Sequence, residues 1–564
     1  MPIRGLGFLS RQYRHINRYR QIVSVLLKHG FGDLMGTLGL HRRLGMDKRR
    51  ADRPEAIVTQ TLTRWQRVRM AMEELGPSFV KLGQIAATRP DMIPQELCSE
   101  LEKLQDTVPP FGFSQVGQTV KAELGDSLEA LFERFDQKPV ASASIAQVHR
   151  AVLPGGEVVA VKVQRPEIDR TIAVDLEIML DLAALMEKHI HGLDAVNPVG
   201  IVQEFARTIR KELDFTIEAD HIERFARNFK SNDNVHVPRV FRRYSTRKVL
   251  TMEFVEGVKV SDLPALREGG FDLELIAGRG ADLVLEQIFV HGFFHADPHP
   301  GNILILPDNV ICFLDYGMMG TVKPRYRQSL ADLVVGIVRR DESQITKAVL
   351  SLSENDNPET YERLEADVDD FIEQHFYRPL KDIHMGSLIS QLVQILVRHR
   401  LRIIPDFYLL TKALAIAEGN GRKLWPDFDM IKNTEPFARK IMTERLSPRT
   451  LAKDLYRSGI DMGNLMRDLP GDVKEILAQI KRGRIHVEFE HRGLEPMLKT
   501  HDQISNRIVF AIVLAAIVIA SSVIVLSGIP PKWYGIPVLG IVGYLAAGAM
   551  GFWLLISIIR HGKM

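Results

Sequence analysis

Three rhythms of apolar and polar residues run along this chain, and each predicts a different kind of element. Ile508 to Leu526 reads IVFAIVLAAIVIASSVIVL, nineteen residues without a charge. At ~1.5 Å per residue such a helix spans about the ~30 Å hydrocarbon core of a bilayer. The turn GIPPKWYG, Gly528 to Gly535, leads to a second apolar run, Ile536 to Ile559, with Trp533 and Tyr534 where interfacial aromatics sit. This pattern predicts a transmembrane helical hairpin over 506–560. Arg507 precedes the first span and Arg560 and Lys563 follow the second, whereas the turn carries only Lys532, so both outer ends and the large soluble part are expected in the cytoplasm. Gly543, Ala547 and Gly551 place small residues on one face. Close packing within the hairpin is the plainer use of that stripe, and a homodimer interface the alternative.

Upstream the rhythm is mostly helical. Residues 13–36 mix basic and apolar positions, an amphipathic helix that lies on a membrane or on the protein's own core. Residues 60–105 read as helix, broken near Gly76-Pro77 and Pro90, before Pro109-Pro110 opens a loop. From about residue 112 strands appear. An Ala/Ser-rich loop, PVASASIAQV at 139–148, lies between two strands, and Pro154-Gly155-Gly156 turns into the β-branched run Val158 to Val163. Helices are predicted over 170–190, 200–228 and 272–291, with a strand from Val249 to Val255 between them. HADPHPGN, a strand ILIL and ICFLDYG follow; 322–445 reads as all helix and 446–505 as a polar connector. The chain thus divides into a basic arm and helical extension (1–111), an α+β domain (112–445, lobes about 112–255 and 256–445), the connector and the membrane segment.

Length supports two or three domains rather than one. Seventy-three Lys plus Arg against 70 Asp plus Glu leave a net charge of +3, which gives no case for nucleic acid. The balance is local: residues 1–53 hold twelve Lys or Arg, Arg4 to Arg53, against three Asp, an arm suited to anionic lipid headgroups. Cys98 and Cys312 lie far apart in apolar runs, suggesting neither disulfide nor thiolate metal site and fitting a reducing compartment. Charges scattered through the first twenty residues argue against a signal peptide.

Candidate chemistry enters with Lys162, near the end of VVAVKV. An ammonium in a buried strand needs an anionic partner, unless it merely snorkels out at a sheet edge. Asp297 and Asn302 stand five apart in HADPHPGN, and Asp315 follows in LDYG. Phosphoryl transfer needs a carboxylate near the acceptor's proton, and an amide plus a second carboxylate to hold Mg²⁺ against phosphate oxygens; this trio supplies those groups. His291, His295 and His299 are spaced by four and imitate a metal-binding helical face, but Pro298 and Pro300 forbid a regular helix there. His149 and His221 suggest only ordinary roles. A helical EFARTIRKELDFTIEAD segment puts Glu212 and Glu218 on different faces, at 6 × ~100°, so they can serve different lysines or simply face solvent.

Lys-in-VAVK, Asp-x4-Asn and Asp-Tyr-Gly in that order resemble protein kinases. With Lys81-Leu82-Gly83-Gln84, Ala141 to Val148 and Glu212-Leu213-Asp214, the chain resembles more closely the UbiB family of atypical kinase-like proteins, by motif over about 60–330. The HADPHPGN segment is also similar to the catalytic loop of aminoglycoside-type phosphotransferases, and the C-terminal spans resemble bacterial family members. The resemblance implies a two-lobed kinase-like domain wrapped by the extension, with ATP and Mg²⁺ as cofactors. ATP is then expected against Pro139, Val140, Ala141, Ser142, Ala143, Ser144, Ile145, Ala146 and Gln147, against Lys162, and at a hinge, Glu253 and Val255, placed by motif order alone. Glu218 would orient Lys162, Asp297 act as catalytic base, and Asn302 and Asp315 hold the metal. Lys81, Gln84, Glu212 and Asp214 would form a regulatory set, with Lys81 paired to Glu212 and its helix occluding the peptide site.

Two departures from ordinary kinases sharpen the expectation. The phosphate loop has no glycine, although Ser142 and Ser144 add hydroxyl donors. After Asp-Tyr-Gly, Met318 to Val322 runs almost directly into helix, with no Ala-Pro-Glu and little room for a peptide-docking loop. ATP hydrolysis or a small or lipid-like acceptor is therefore expected over protein phosphorylation. The resemblance further implies ubiquinone biosynthesis at the bacterial inner membrane, with lipids and the biosynthetic enzymes or their lipid intermediates as partners. A pseudokinase scaffold that binds nucleotide without turnover is the alternative.

Overall fold

In the computed structural model, the described residues are 4–32, 62–87, 92–104, 108–190, 197–339, 341–352, 358–376, 385–399, 405–445 and 494–561, with the single positions 89, 401 and 474. Residues 33–53 of the basic arm, Pro90 and most of the 446–505 connector lie outside them. The chain forms two compact units, Met1–Lys453 and Asp454–Met564.

The first unit is built around an antiparallel sheet of β1 (Arg134–Phe135), β2 (Ala141–Ser142), β3 (Ala146–Val152), β4 (Val158–Gln164) and β6 (Val249–Glu253), in the order β1-β3-β4-β6 with β2 added to β3. Strand periodicity sorts its faces. Val159, Val161 and Val163 of β4 are fully buried against Val116, Val120 and Phe132, packed from the helices that precede the sheet. Each such valine contributes about 1.5–3 kcal/mol of burial free energy. The alternate positions, Ala160 and Lys162, face the other way, where Ala160 joins Phe215 and Ala219 in the large core that continues into the second lobe. Lys162 therefore points to the lobe interface from a central strand, between Val148 of β3 and Leu250 of β6.

The second lobe carries β5 (Val235–His236), β7 (Val258–Lys259), β9 (Ile303–Leu306) and β10 (Val310–Phe313) in the order β5-β10-β9-β7. A two-stranded pair, β8 (Phe293–His295) with β11 (Met319–Thr321), completes it. The helix predicted over 272–291 runs as α-helix from Leu273 to Leu285 and then winds as a π-helix over Glu286–His291, directly before β8. Such local widening is frequent at functional sites. Helices from Pro324 to Arg445 pack behind this lobe.

The amphipathic N-terminal helix, Arg4–Lys28, packs on the protein itself: Ile22 and Val25 are buried with Leu75, Ile172 and Leu176. Arg18 closes that seam, donating to both oxygens of the fully buried Asp175 at 2.7 and 3.0 Å and to the Leu75 carbonyl at 2.8 Å. The extension helix Pro77–Ala87 starts on a proline, which costs no hydrogen bond in a first turn. Its Gly83 is a close-approach position. A Cβ there would meet Leu104 Cδ1 at 2.4 Å and Met72 Sδ at 3.0 Å.

In the second unit the helices Leu494–Ser527 and Val538–His561 pack antiparallel. A Cβ on Gly540 or Gly543 would strike Val525 or Ser521, and one on Gly551 would touch Leu514. The small-residue stripe thus serves packing inside the pair, and Ser522 and Tyr544 share a 2.6 Å hydrogen bond across it. Among the described residues one segment, Ile508–Ser527, is long and apolar enough to cross a membrane. A shorter apolar segment, Val538–Leu554, follows.

Gly83→Val is expected to destabilise the first unit by about 1–3 kcal/mol through overpacking, read as a lower denaturant midpoint. An unchanged midpoint means the seam between the Pro77–Ala87 helix and Leu104 yields without cost.

Candidate active site

A cavity of about 1630 Å³ opens between the two lobes. Lys162 enters it from β4 and Glu218 from the first turns of the helix Phe215–Asn228. Asp214 caps that helix, accepting from the Thr216 amide at 3.1 Å and the Thr216 hydroxyl at 2.6 Å. The cap sets the register that carries Glu218 inward.

Lys162 Nζ donates to both Glu218 oxygens, at 2.9 and 2.8 Å, and stands 3.9 Å from Asp315 Oδ1. Burial depresses the ammonium's pKa, but Glu218 and Asp315 overturn that and hold it above the usual lysine value. Burial, with the nearby Asp315 charge, pushes Glu218 up against the pull of Lys162. The two-point contact is that of an ammonium on a carboxylate, so the pair stands as a salt bridge. Burial also works against Asp315, yet Lys162 and the Gly317 amide, 2.9 Å from Oδ1, hold it down at about 2. Half of the Asp315 side chain stays open to the cavity.

The loop after β8 is fixed from behind. The His295 amide donates to Gln287 Oε1 at 2.8 Å, and His295 Nδ1 accepts from the Asp297 amide at 3.1 Å. Burial pushes His295 below the usual histidine value, so it serves the loop as a neutral acceptor. His299 Nδ1 accepts from the Gly301 amide at 3.2 Å. The loop thereby presents Asp297 and Asn302 to the cavity that Asp315 also lines. Among the described residues no three His, Cys, Asp or Glu side chains are grouped so as to hold a metal ion by themselves. An amide and a carboxylate are, however, a fitting hard-oxygen pair for Mg²⁺, which takes few protein ligands and completes its shell with phosphate oxygens and water.

The expected nucleotide residues divide. Ala141, Ala143, Ser144, Ile145 and Ala146 line the cavity, and the Ala143 amide closes the turn onto the Ala146 carbonyl at 2.8 Å. The buried hydroxyls of Ser142 and Ser144 have no hydrogen-bond partner, and Ser144 is among the residues that line the cavity. Pro139, Val140, Ser142, Gln147, Glu253 and Val255 do not line it. Gln147 falls on the opposite face of β3, where its Oε1 accepts from the Phe111 amide at 3.0 Å. The Glu253 side chain meets His236 Nε2 at 3.0 Å and the Arg239 amide at 3.1 Å.

The regulatory set divides as well. Lys81 Nζ pairs with Glu212 Oε2 at 3.0 Å and Gln84 donates to the Leu104 carbonyl at 3.3 Å; all three side chains line the cavity, whereas Asp214 is the helix cap. Glu212 and Glu218 do not share one helix, as the sequence pattern suggests. The chain breaks at Leu213, with Glu212 ending Pro198–Glu212 and Asp214 capping the next helix. Sequence reading passes over the far wall. The extension segment Met92–Leu104 faces Val393, Tyr408, Thr411, Lys412, Ala415 and Ile416 of the C-lobe, joined by Gln394 to Gln95 at 2.8 Å and Arg89 over the Tyr408 ring. Lys412 Nζ stands 3.3 Å from Asp297 Oδ2. A lysine inside the apolar run YLLTKALAIA is the same signal that marks Lys162, but its distance from every motif conceals it.

Glu218→Ala is expected to cost about 3–5 kcal/mol by stranding the Lys162 ammonium, and the double change with Lys162→Met distinctly less than the sum. A double-mutant cycle in denaturant checks this, and additive losses contradict it. Because Asp315 titrates below the ordinary aspartate value of 3.8, its contribution to stability is present above that pH and lost as pH falls through about 2. The stability gap between wild type and Asp315→Asn should narrow over that window; a pH-independent gap refutes the assignment.

Three families match along the chain: the ABC1 atypical kinase-like domain over residues 103–349, the UbiB helical domain over 368–429 and the ABC1/UbiB kinase-like C-terminal domain over 492–560. A probable protein kinase UbiB of Marinobacter nauticus is 36% identical over 451 residues, 79% of this chain and 82% of that protein. A Clostridium pasteurianum protein described only as uncharacterized, in the hydrogenase 1 5′ region, is 31% identical over 551 residues, 97% of this chain and 100% of that protein. Among solved structures, Mycobacterium tuberculosis Rv3197 in complex with erythromycin is 22% identical, with a TM-score of 0.41 over 63% of this chain and 94% of that one.

Proposed function

The chain belongs to the UbiB family of atypical kinase-like proteins, and from that premise we propose that it is a membrane-anchored, Mg²⁺-dependent ATPase or phosphotransferase that supports or regulates ubiquinone biosynthesis. One observation carries the reading: a buried ammonium, gripped by Glu218, shares a cavity with Asp297, Asn302 and Asp315. Lys162 would hold the α- and β-phosphates, with Glu218 keeping its charge in place. Asn302 and Asp315 would hold Mg²⁺, which supplies charge neutralisation at the phosphate oxygens. Asp297 would take the proton of the attacking water or acceptor hydroxyl.

The cavity bears on the acceptor. At about 1630 Å³ it exceeds the ~300–1,000 Å³ of an ordinary ligand pocket, and its lining includes Met92, Ile93, Val393 and Ile416 beside the charged Glu102 and Lys103. Extension residues Met92 to Leu104 line the same cavity, which narrows the room for an extended peptide. Both features support a small, partly apolar acceptor over a protein substrate. The outward-facing apolar helix Ile508–Ser527, together with the charge distribution at the ends of the C-terminal helices, supports a two-pass anchor in a bacterial inner membrane with the kinase-like unit in the cytoplasm.

Purified full-length protein in anionic lipid is expected to hydrolyse ATP only with Mg²⁺. Asp297→Asn should lower turnover about 10²–10⁴-fold, and Lys162→Ala should abolish it with weakened nucleotide binding. Nucleotide binding without hydrolysis in wild type would replace the enzyme with a scaffold.

A further inference from the structure

We propose that Lys412, which belongs to none of the kinase-like motifs, is a γ-phosphate-sensing residue. It positions Asp297 while the site is empty and turns to the terminal phosphoryl group when ATP enters. The inference rests on the ATP-binding reading above and concerns how that site tells ATP from ADP.

The loop Asp297-Pro298-His299-Pro300-Gly301-Asn302 contains no lysine or arginine. Its one histidine, His299, accepts from the Gly301 amide, and Lys162 is committed to Glu218. Phosphoryl transfer spreads negative charge over the terminal oxygens, and a cation beside them is a recurring requirement. Lys412 Nζ, 3.3 Å from Asp297 Oδ2, is in place to supply it.

The helix that carries Lys412, Pro405–Leu424, is built for this placement. Tyr408, Thr411, Lys412, Ala415 and Ile416 line the cavity, a spacing of three and four that defines one helix face, while Leu410, Ala413 and Leu414 are buried in the core. Two turns on from Lys412, Asn420 Nδ2 donates to the Pro298 carbonyl at 3.0 Å, fastening the helix to the loop on the residue next to Asp297. Glu102, from the extension, lines the same cavity; burial pushes its carboxyl up and the Lys412 charge opposes that. Lys412 is thus placed among one loop carboxylate, one extension carboxylate and open space.

Stability does not account for the pair. The Lys412 and Asp297 side chains are 35% and 34% exposed, and pairs that open to solvent contribute about 0–1 kcal/mol. A partly exposed ammonium at the cavity wall is placed to meet a ligand there. With ATP bound, the acceptor oxygen forms its bond to the γ-phosphorus as the bond to the bridging oxygen of ADP breaks. Asp297 takes the acceptor's proton, ADP leaves with the bonding electron pair, and Lys412 stays beside the terminal oxygens throughout.

The test uses full-length wild type, Lys412→Met and Lys412→Arg in anionic-lipid vesicles, with Mg·ATP and Mg·ADP affinities measured by displacement of a fluorescent nucleotide, beside turnover and Tm. Lys412→Met should weaken ATP about tenfold or more while ADP affinity stays within about twofold, with Tm essentially unchanged; Lys412→Arg should recover most of the wild-type ATP affinity. Equal changes for both nucleotides, or an unchanged ATP affinity, overturn the proposal. Because the ATP-to-ADP ratio is read without turnover, a wild type that fails to hydrolyse ATP counts against the enzymatic reading and leaves this test intact.

Discussion

The buried salt bridge between Lys162 and Glu218 is the constraint around which the first unit is organised. A charge taken out of water is tolerated only with a partner in good geometry, and here the two halves come from different elements: a central strand and a helix started by its own cap at Asp214. Each must be placed to within a few tenths of an ångström for both carboxylate oxygens to meet the ammonium. The β4 valines anchor the strand on one side, and Phe215, Ala219 and Ile222 anchor the helix on the other. The packing that fixes this strand and this helix is therefore what keeps a positive charge at the cavity floor, and Asp315, held ionised across 3.9 Å, depends on the same arrangement.

The extension works against the openness that such a cleft would otherwise have. Gly83 lets the Pro77–Ala87 helix settle on Leu104 and Met72, Lys81 ties that helix to Glu212, and Arg89 and Gln95 reach the C-lobe helices. The result is a cavity with a charged floor and a far wall on which Met92, Ile93, Val393 and Ile416 alternate with Glu102, Lys103 and Lys412.

That second unit follows different physics. Its helices display large apolar side chains outward, the reverse of the first unit, and bring small residues together where they touch. The glycines at 540, 543 and 551 let the two backbones approach closely where the helices touch.

The sequence by itself determined what is local. Alternation in VVAVKV put Lys162 on the face opposite the valines, the prolines around His299 ruled out a helical histidine face, and the charge-free run from Ile508 marked the apolar helix. The motif order brought Lys81, Glu212, Lys162, Glu218, Asp297, Asn302 and Asp315 together on the page, and all seven line one cavity. The tertiary structure alone decided the rest. It split the helix between Glu212 and Glu218 because Asp214 caps a new start. It turned Gln147 and Glu253 away because strand register and neighbouring side chains claimed them, and it laid the N-terminal helix on the protein because Asp175 waited there for Arg18. Lys412 came to Asp297 across more than a hundred residues of chain. Periodicity records which face a residue takes within its own element, and only packing between elements decides what that face meets.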